Sequence, residues 1–183
     1  MKRIVSIVIC VLFIAAAAAV FAQDPSIEKA LLPAPRNMQA AATVIKWKSD
    51  FTYDTVRKGT NKLVCYERPT QPGDANSFSM ECTSLANLER VAVSLKTETI
   101  KDPKERRTAF EDLEKAGKWP KPEFGSVFYN LTGADAATAR PHATVCVPGG
   151  TEKTLGLPET GDKGGAWIMN AGTSAAHIML PGH

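Results

Sequence analysis

Near the C-terminus, Thr173 and Ser174 lie four and three residues before His177, with Gly172 just upstream. A hydroxyl beside an imidazole is the minimum for nucleophilic catalysis, and amides in a glycine-containing turn could hold an oxyanion. The surrounding sequence gives this pairing little support. There is no G-x-S-x-G elbow, and no carboxylate follows to orient His177. The favoured alternative makes Ser174 a turn residue. His177, alternating with Ala175 and Met179, is then a sheet histidine satisfied by hydrogen bonds.

A second set, His142, Cys146 and His177, has the side-chain types that ligate metals. Pro141 and the β-branched Thr144, Val145 and Val147 mark this stretch as a strand, along which four residues span ~13 Å. His142 and Cys146 cannot easily close on one ion across that distance, and no C-x-x-C or H-E-x-x-H motif is present. No metal or other cofactor is expected. A third set, Arg57, Lys58 and Asn61, surrounds Gly59 at a turn. Two cations and turn amides could converge on a carboxylate or phosphate, making these the candidate ligand-binding residues. The competing expectation is a solvated turn in which Gly59 relaxes the backbone. Trp47, Trp119 and Trp167 are expected in packing rather than in a sugar platform. Asn130-Leu131-Thr132 matches a glycosylation acceptor but falls inside a predicted strand.

The elements that position these residues can be read in order along the chain. Asp24 and Pro25 cap a short helix carrying Ile27, Leu31 and Leu32, stopped by Pro33 and Pro35. Alternation over 43–48 predicts a strand with Ile45 and Trp47 on one side. Two further runs, 51–57 and 62–67, are joined by Lys58-Gly59-Thr60-Asn61, which predicts a hairpin. Residues 70–76 are a loop. Ser84 caps a helix with a stripe of Leu85, Leu88, Val91, Ala92 and Leu95. Asp102 and Pro103 open a second, with Glu105 completing a capping box and Phe110, Leu113 and Ala116 forming its buried stripe. Gly117 and Pro120 end that helix. Strands return at 127–131, 143–147, 166–169 and 176–180, the last two as a C-terminal β-hairpin, after a long Gly-, Pro- and Thr-rich loop over 148–164. This grouping predicts an α+β fold: a mainly antiparallel sheet with two central helices packed on one face.

Lys2 and Arg3 precede an uncharged run from Ile4 to Ala22 that ends Val20-Phe21-Ala22, the pattern of a cleavable secretion signal over residues 1–22. The expected division is this leader, a short helix and linker over 23–41, and one globular domain over 42–183. Removal of the leader takes 183 residues to 161 and the charge from +3 to +1. A charge so near neutrality gives no footprint for nucleic acid, and no second apolar run reaches membrane length, so no membrane insertion is expected after cleavage. Cys10 leaves with the leader. Strand phase places Cys65 on the face of Leu63, and Cys82 on that of Phe78 and Met80, which predicts a Cys65–Cys82 disulfide in an oxidising compartment. Cys146 is expected to be a small buried hydrophobe.

Arg57-Lys58-Gly59-Thr60-Asn61 leading into Leu63-Val64-Cys65, then Cys82, Leu155-Gly156-Leu157-Pro158, and Trp167-Ile168-Met169 through Gly172-Thr173 to Ala176-His177-Ile178-Met179 resemble a family of uncharacterised secreted bacterial proteins. The resemblance covers most of the mature chain. It directs interest to the Arg57–Asn61 turn and to His177 but implies no activity or cofactor, and Cys146 is not part of the pattern. The chain is expected to be a periplasmic or extracellular protein that binds a small ligand or a partner without catalysis. A hydrolase using His177 with Thr173 or Ser174 is the second expectation, and a metal-binding protein the third. The identity of the partner is left open.

Overall fold

The computed structural model describes residues 24–70 and 76–180, so the predicted leader lies outside the described residues. Helices α1 (Pro25–Leu31) and α2 (Arg36–Gln39) precede strands β1 (Thr43–Trp47), β2 (Tyr53–Arg57), β3 (Leu63–Glu67) and β4 (Phe78–Ser84). A 3-10 turn over Leu85–Asn87 enters α3 (Leu88–Glu98), followed by α4 (Pro103–Lys115). Strands β5 (Val127–Gly133) and β6 (Arg140–Cys146), the short α5 (Glu152–Leu155), and β7 (Trp167–Met169) with β8 (His177–Met179) complete the order. All eight strands form one sheet, ordered β2-β1-β3-β4-β5-β6-β8-β7, with β7 and β8 as the C-terminal hairpin. The α+β architecture is the one expected.

One predicted pairing is corrected. β2 does not form a hairpin with β3; it pairs antiparallel with β1, and β3 lies on the other side of β1, parallel to it. The turn between β2 and β3 passes over the segment that enters β1. Thr60 and Asn61 donate their backbone N–H groups to the Ala41 carbonyl at 2.8 and 3.0 Å. A Cβ on Gly59 would sit 2.3 Å from that same oxygen, so only glycine lets the chain cross there.

The alternation of β3 is buried on both sides. Leu63 and Cys65 pack with Val44, Cys82 and Ile27, Ala30 and Leu31 of α1. Val64 and Tyr66 face the opposite way and pack with Ile45, Trp47 and the Leu88, Val91 and Leu95 stripe of α3. Cys65 and Cys82 are directly opposite across β3 and β4 and form the predicted disulfide, with Cα atoms 4.1 Å apart. Toward the other end of the sheet, the 148–164 loop covers the α1 face, where Leu155 and Leu157 pack on Ile168 and Val147. Among the described residues no helix is long and apolar enough to cross a membrane.

The expected buried stripe of α4 is the second correction. Asp102 caps the helix as predicted, accepting from the N–H groups of Lys104 and Glu105, yet α4 buries none of its residues. It packs on α3 rather than on the sheet, so Phe110 and Leu113 are only half covered and Ala116 is exposed. A helix with an incompletely covered apolar stripe beside the sheet's C-terminal hairpin leaves a cleft.

Beneath α3 a buried polar network fixes its far end. Tyr66 donates to Glu81, and Arg68 reaches Glu81 at 3.3 Å and holds both oxygens of Glu98 at 2.6 and 2.7 Å. Burial and the Glu81 charge push the Tyr66 phenol well above its ordinary value of 10. Burial works against the charge on Arg68, but the two carboxylates outweigh it.

Candidate functional site

The C-terminal end of α4 begins the site. Gly117 takes a positive φ of 63°, and the N–H groups of Gly117 and Lys118 bond back to the carbonyls of Glu114 and Leu113 at 3.0 and 2.9 Å. This Schellman closure turns the chain so that Trp119 folds back on the helix. Its ring lies 4.8 Å from that of Phe110, and its indole N–H donates to Ser94 Oγ at 3.1 Å. The Arg90 guanidinium, from α3, stacks 3.7 Å from the Trp119 ring centroid.

The opposing wall is the turn between β7 and β8. Asn170 and Gly172 both have positive φ, 56° and 78°. Thr173 Oγ1 donates to the Asn170 carbonyl at 2.8 Å and accepts from the Ala175 N–H at 3.1 Å, so its hydroxyl is committed to holding the turn. Ser174 is buried at 7% exposure, and both its backbone N–H, at 2.7 Å, and its hydroxyl donate to the Glu114 carboxylate. Arg90 Nη1 donates to the same hydroxyl at 3.2 Å and to the Pro120 carbonyl at 2.7 Å. Burial alone would raise the Glu114 carboxyl, but the bonds from Ser174, assisted by Arg90 and Lys121, outweigh it and hold the group below its ordinary value of 4.5.

Between these walls lies a cleft of about 580 Å³, lined by Phe110, Trp119, Pro103, Ala175 and Thr173, with Arg106, Arg107 and Lys115 at its rim. A smaller pocket of about 220 Å³ adjoins it and shares Trp119, Asn170 and Ala175 as walls; Arg90, Phe128, Thr144, Cys146 and His177 line its interior. Cys146 and His177 are cross-strand partners of β6 and β8, which puts their side chains on one face.

The predicted catalytic pair does not assemble. No hydrogen bond joins Ser174 or Thr173 to His177 among the described residues. His177 Nδ1 instead meets the Ala175 carbonyl at 2.8 Å; a carbonyl only accepts, so Nδ1 carries the hydrogen. Cys146 is 4% exposed, and burial pushes its thiol above the ordinary value of 9.0, so it is held as a thiol and not as a nucleophilic thiolate. Among the described residues no group of three His, Cys, Asp or Glu side chains stands close enough to hold a metal ion. His142 and Cys146 lie on β6 as expected.

The Arg57 turn is built for structure. Arg57 Nη2 donates to the carbonyls of Gln39 and Ala42 at 2.6 and 2.7 Å, and Asn61 Nδ2 to that of Met38 at 3.0 Å. Lys58 is exposed. β2, which ends in Arg57, is one edge of the sheet and β7 is the other, so these residues do not share a cleft with His177.

Sequence reasoning placed Thr173, Ser174 and His177 near the site but missed Arg90, Glu114, Phe110 and Trp119, which build it. Arg90 lies off the Leu88, Val91 and Leu95 stripe of α3, so local spacing gave no signal for it, whereas Glu114, four residues after Phe110, shares that ring's side of α4. Comparison with known proteins adds no further assignment, as no family model, curated protein or solved structure matches the chain.

Proposed function

We propose that this chain is an exported domain that binds a small, largely apolar organic ligand in the cleft between α4 and the β7–β8 turn, without catalysis. One observation carries this: a cleft of about 580 Å³ walled by Phe110 and Trp119, within the usual size of small-molecule sites. Both walls are pre-set by hydrogen bonds, Glu114 on Ser174 and Trp119 on Ser94, so little conformational freedom need be lost on binding. Export is supported by the leader sequence and is compatible with the Cys65–Cys82 disulfide. The commitment of Thr173 and Ser174 to structural bonds supports binding over hydrolysis.

The test is a fluorescence titration with N-phenyl-1-naphthylamine, a neutral aromatic probe that brightens in apolar sites. Wild type is expected to bind it saturably, and Phe110→Ala, at a half-covered position, is expected to weaken binding about tenfold while keeping the fold. Equal binding by both proteins, or none by wild type, overturns the assignment of this cleft.

A further inference from the structure

The inner pocket contains a cation whose charge is incompletely answered. Arg90 is 7% exposed, and no carboxylate of the described residues comes within ion-pairing distance of it. Its direct partners are neutral: the Pro120 carbonyl, the Ser174 hydroxyl and the Trp119 face. Glu114 bonds the same Ser174 hydroxyl, and its charge acts on Arg90 from beyond ion-pairing distance. Both hydrogen bonds use Nη1, and among the described residues Nε and Nη2 donate to nothing. Buried charges in proteins are ordinarily paired, because removing an ion from water costs several kcal/mol unless a partner offsets it. Arg68, although only half-buried, has two carboxylates.

Arg90 lines the 220 Å³ pocket, several times the ~30 Å³ share of one water, and polar side chains stand among its walls. Thr144 supplies a hydroxyl. His177 supplies an imidazole whose Nδ1 is fixed by Ala175, leaving Nε2 as its other polar atom. The pocket adjoins the apolar cleft, with Trp119, Asn170 and Ala175 lining both.

We infer that the ligand is an organic carboxylate, its apolar body lying against Phe110 and Trp119 and its carboxylate entering the inner pocket to pair with Arg90. This rests on the cleft proposed above and names the class of molecule it takes. A planar guanidinium matches a carboxylate with two parallel N–H donors, and a slim aryl- or alkyl-carboxylate fits a wide outer cleft with a narrow polar end. Burial pulls the Arg90 guanidinium down to about 10, a cost that an arriving anion relieves. The rim arginines are poorer recognition elements, since ion pairs at exposed Arg107 are screened by water.

Calorimetric titration with 4-phenylbutyrate and its neutral counterpart 4-phenyl-1-butanol tests this. Wild type is expected to bind the carboxylate about tenfold more tightly than the alcohol or better, and Arg90→Gln to bring the two affinities together. Arg106→Gln/Arg107→Gln is expected to keep the preference. Equal affinities in wild type overturn the inference whatever Arg90→Gln does, including a failure to fold. Loss of the preference in the rim variant with retention in Arg90→Gln overturns it as well. Failure of wild type to bind either compound overturns the cleft itself, an outcome distinct from equal binding of both.

Discussion

Ser174→Ala removes one hydroxyl at the point where α4 is tied to the β7–β8 turn. Glu114 loses one of its two donors from Ser174 and keeps the backbone N–H at 2.7 Å; Arg90 Nη1 loses a 3.2 Å acceptor and keeps the Pro120 carbonyl. A hydrogen bond to a charged group is worth ~1.5–3 kcal/mol, and a carboxylate bordering an open cleft belongs at the low end, so the expected loss is about 1.5 kcal/mol. For a chain of this size that is a Tm about 3–6 °C lower. The pH dependence gives the effect a signature. Glu114 is held below its ordinary 4.5 in the fold, so its contribution is fully present above that value and is lost as pH falls through the folded-state value. Wild type and variant should therefore differ most near neutrality and converge as the pH falls through and below the folded-state value of Glu114. Thermal unfolding followed by circular dichroism across an acid-to-neutral pH series measures this. A neutral-pH Tm within about 1 °C of wild type, or a deficit equally large in acid, would refute the latch.

Three further outcomes are expected. Gly59→Ala puts a Cβ 2.3 Å from the Ala41 carbonyl where backbone cannot yield, so a loss beyond ~3 kcal/mol or failure to fold should appear in soluble yield and urea unfolding. The Cys65→Ala/Cys82→Ala pair opens a loop of sequence separation 17, an expected loss of about 3 kcal/mol by urea unfolding. Arg68→Met leaves Glu81 buried at 6% exposure without its cation, an expected loss of about 3 kcal/mol by urea unfolding at neutral pH.

Local rules reached far into this fold because several elements carry self-contained signals. Asp24 with Pro25 and Asp102 with Pro103 cap their helices as their types require, and strand phase alone put Cys65 and Cys82 on one face. The hairpin expected between β2 and β3 failed because pairing partners are a non-local choice. The turn residues Gly59 to Asn61 looked local but bind Ala41 and Met38, so what reads as a hairpin tip is a crossing. The α4 stripe misled for a related reason: Phe110 and Leu113 have the spacing of core residues, and only tertiary placement beside α3 leaves them half covered. The site was legible in part. Thr173, Ser174 and His177 stand where chemistry was sought, but their roles depend on Glu114 and Arg90, 60 and 84 residues from Ser174 in sequence, which no local pattern connects.

The central claim is that ligand enters between α4 and the β7–β8 turn. Isotope-filtered NMR of the protein with bound 4-phenylbutyrate tests it most directly. Intermolecular NOEs from the phenyl protons to Phe110 and Trp119, and from the methylene next to the carboxylate to Ala175, are the expected result. NOEs instead to the outer α3–α4 groove at Val93, Ile100 and Leu113, or to the β2 edge near Arg57, would contradict it.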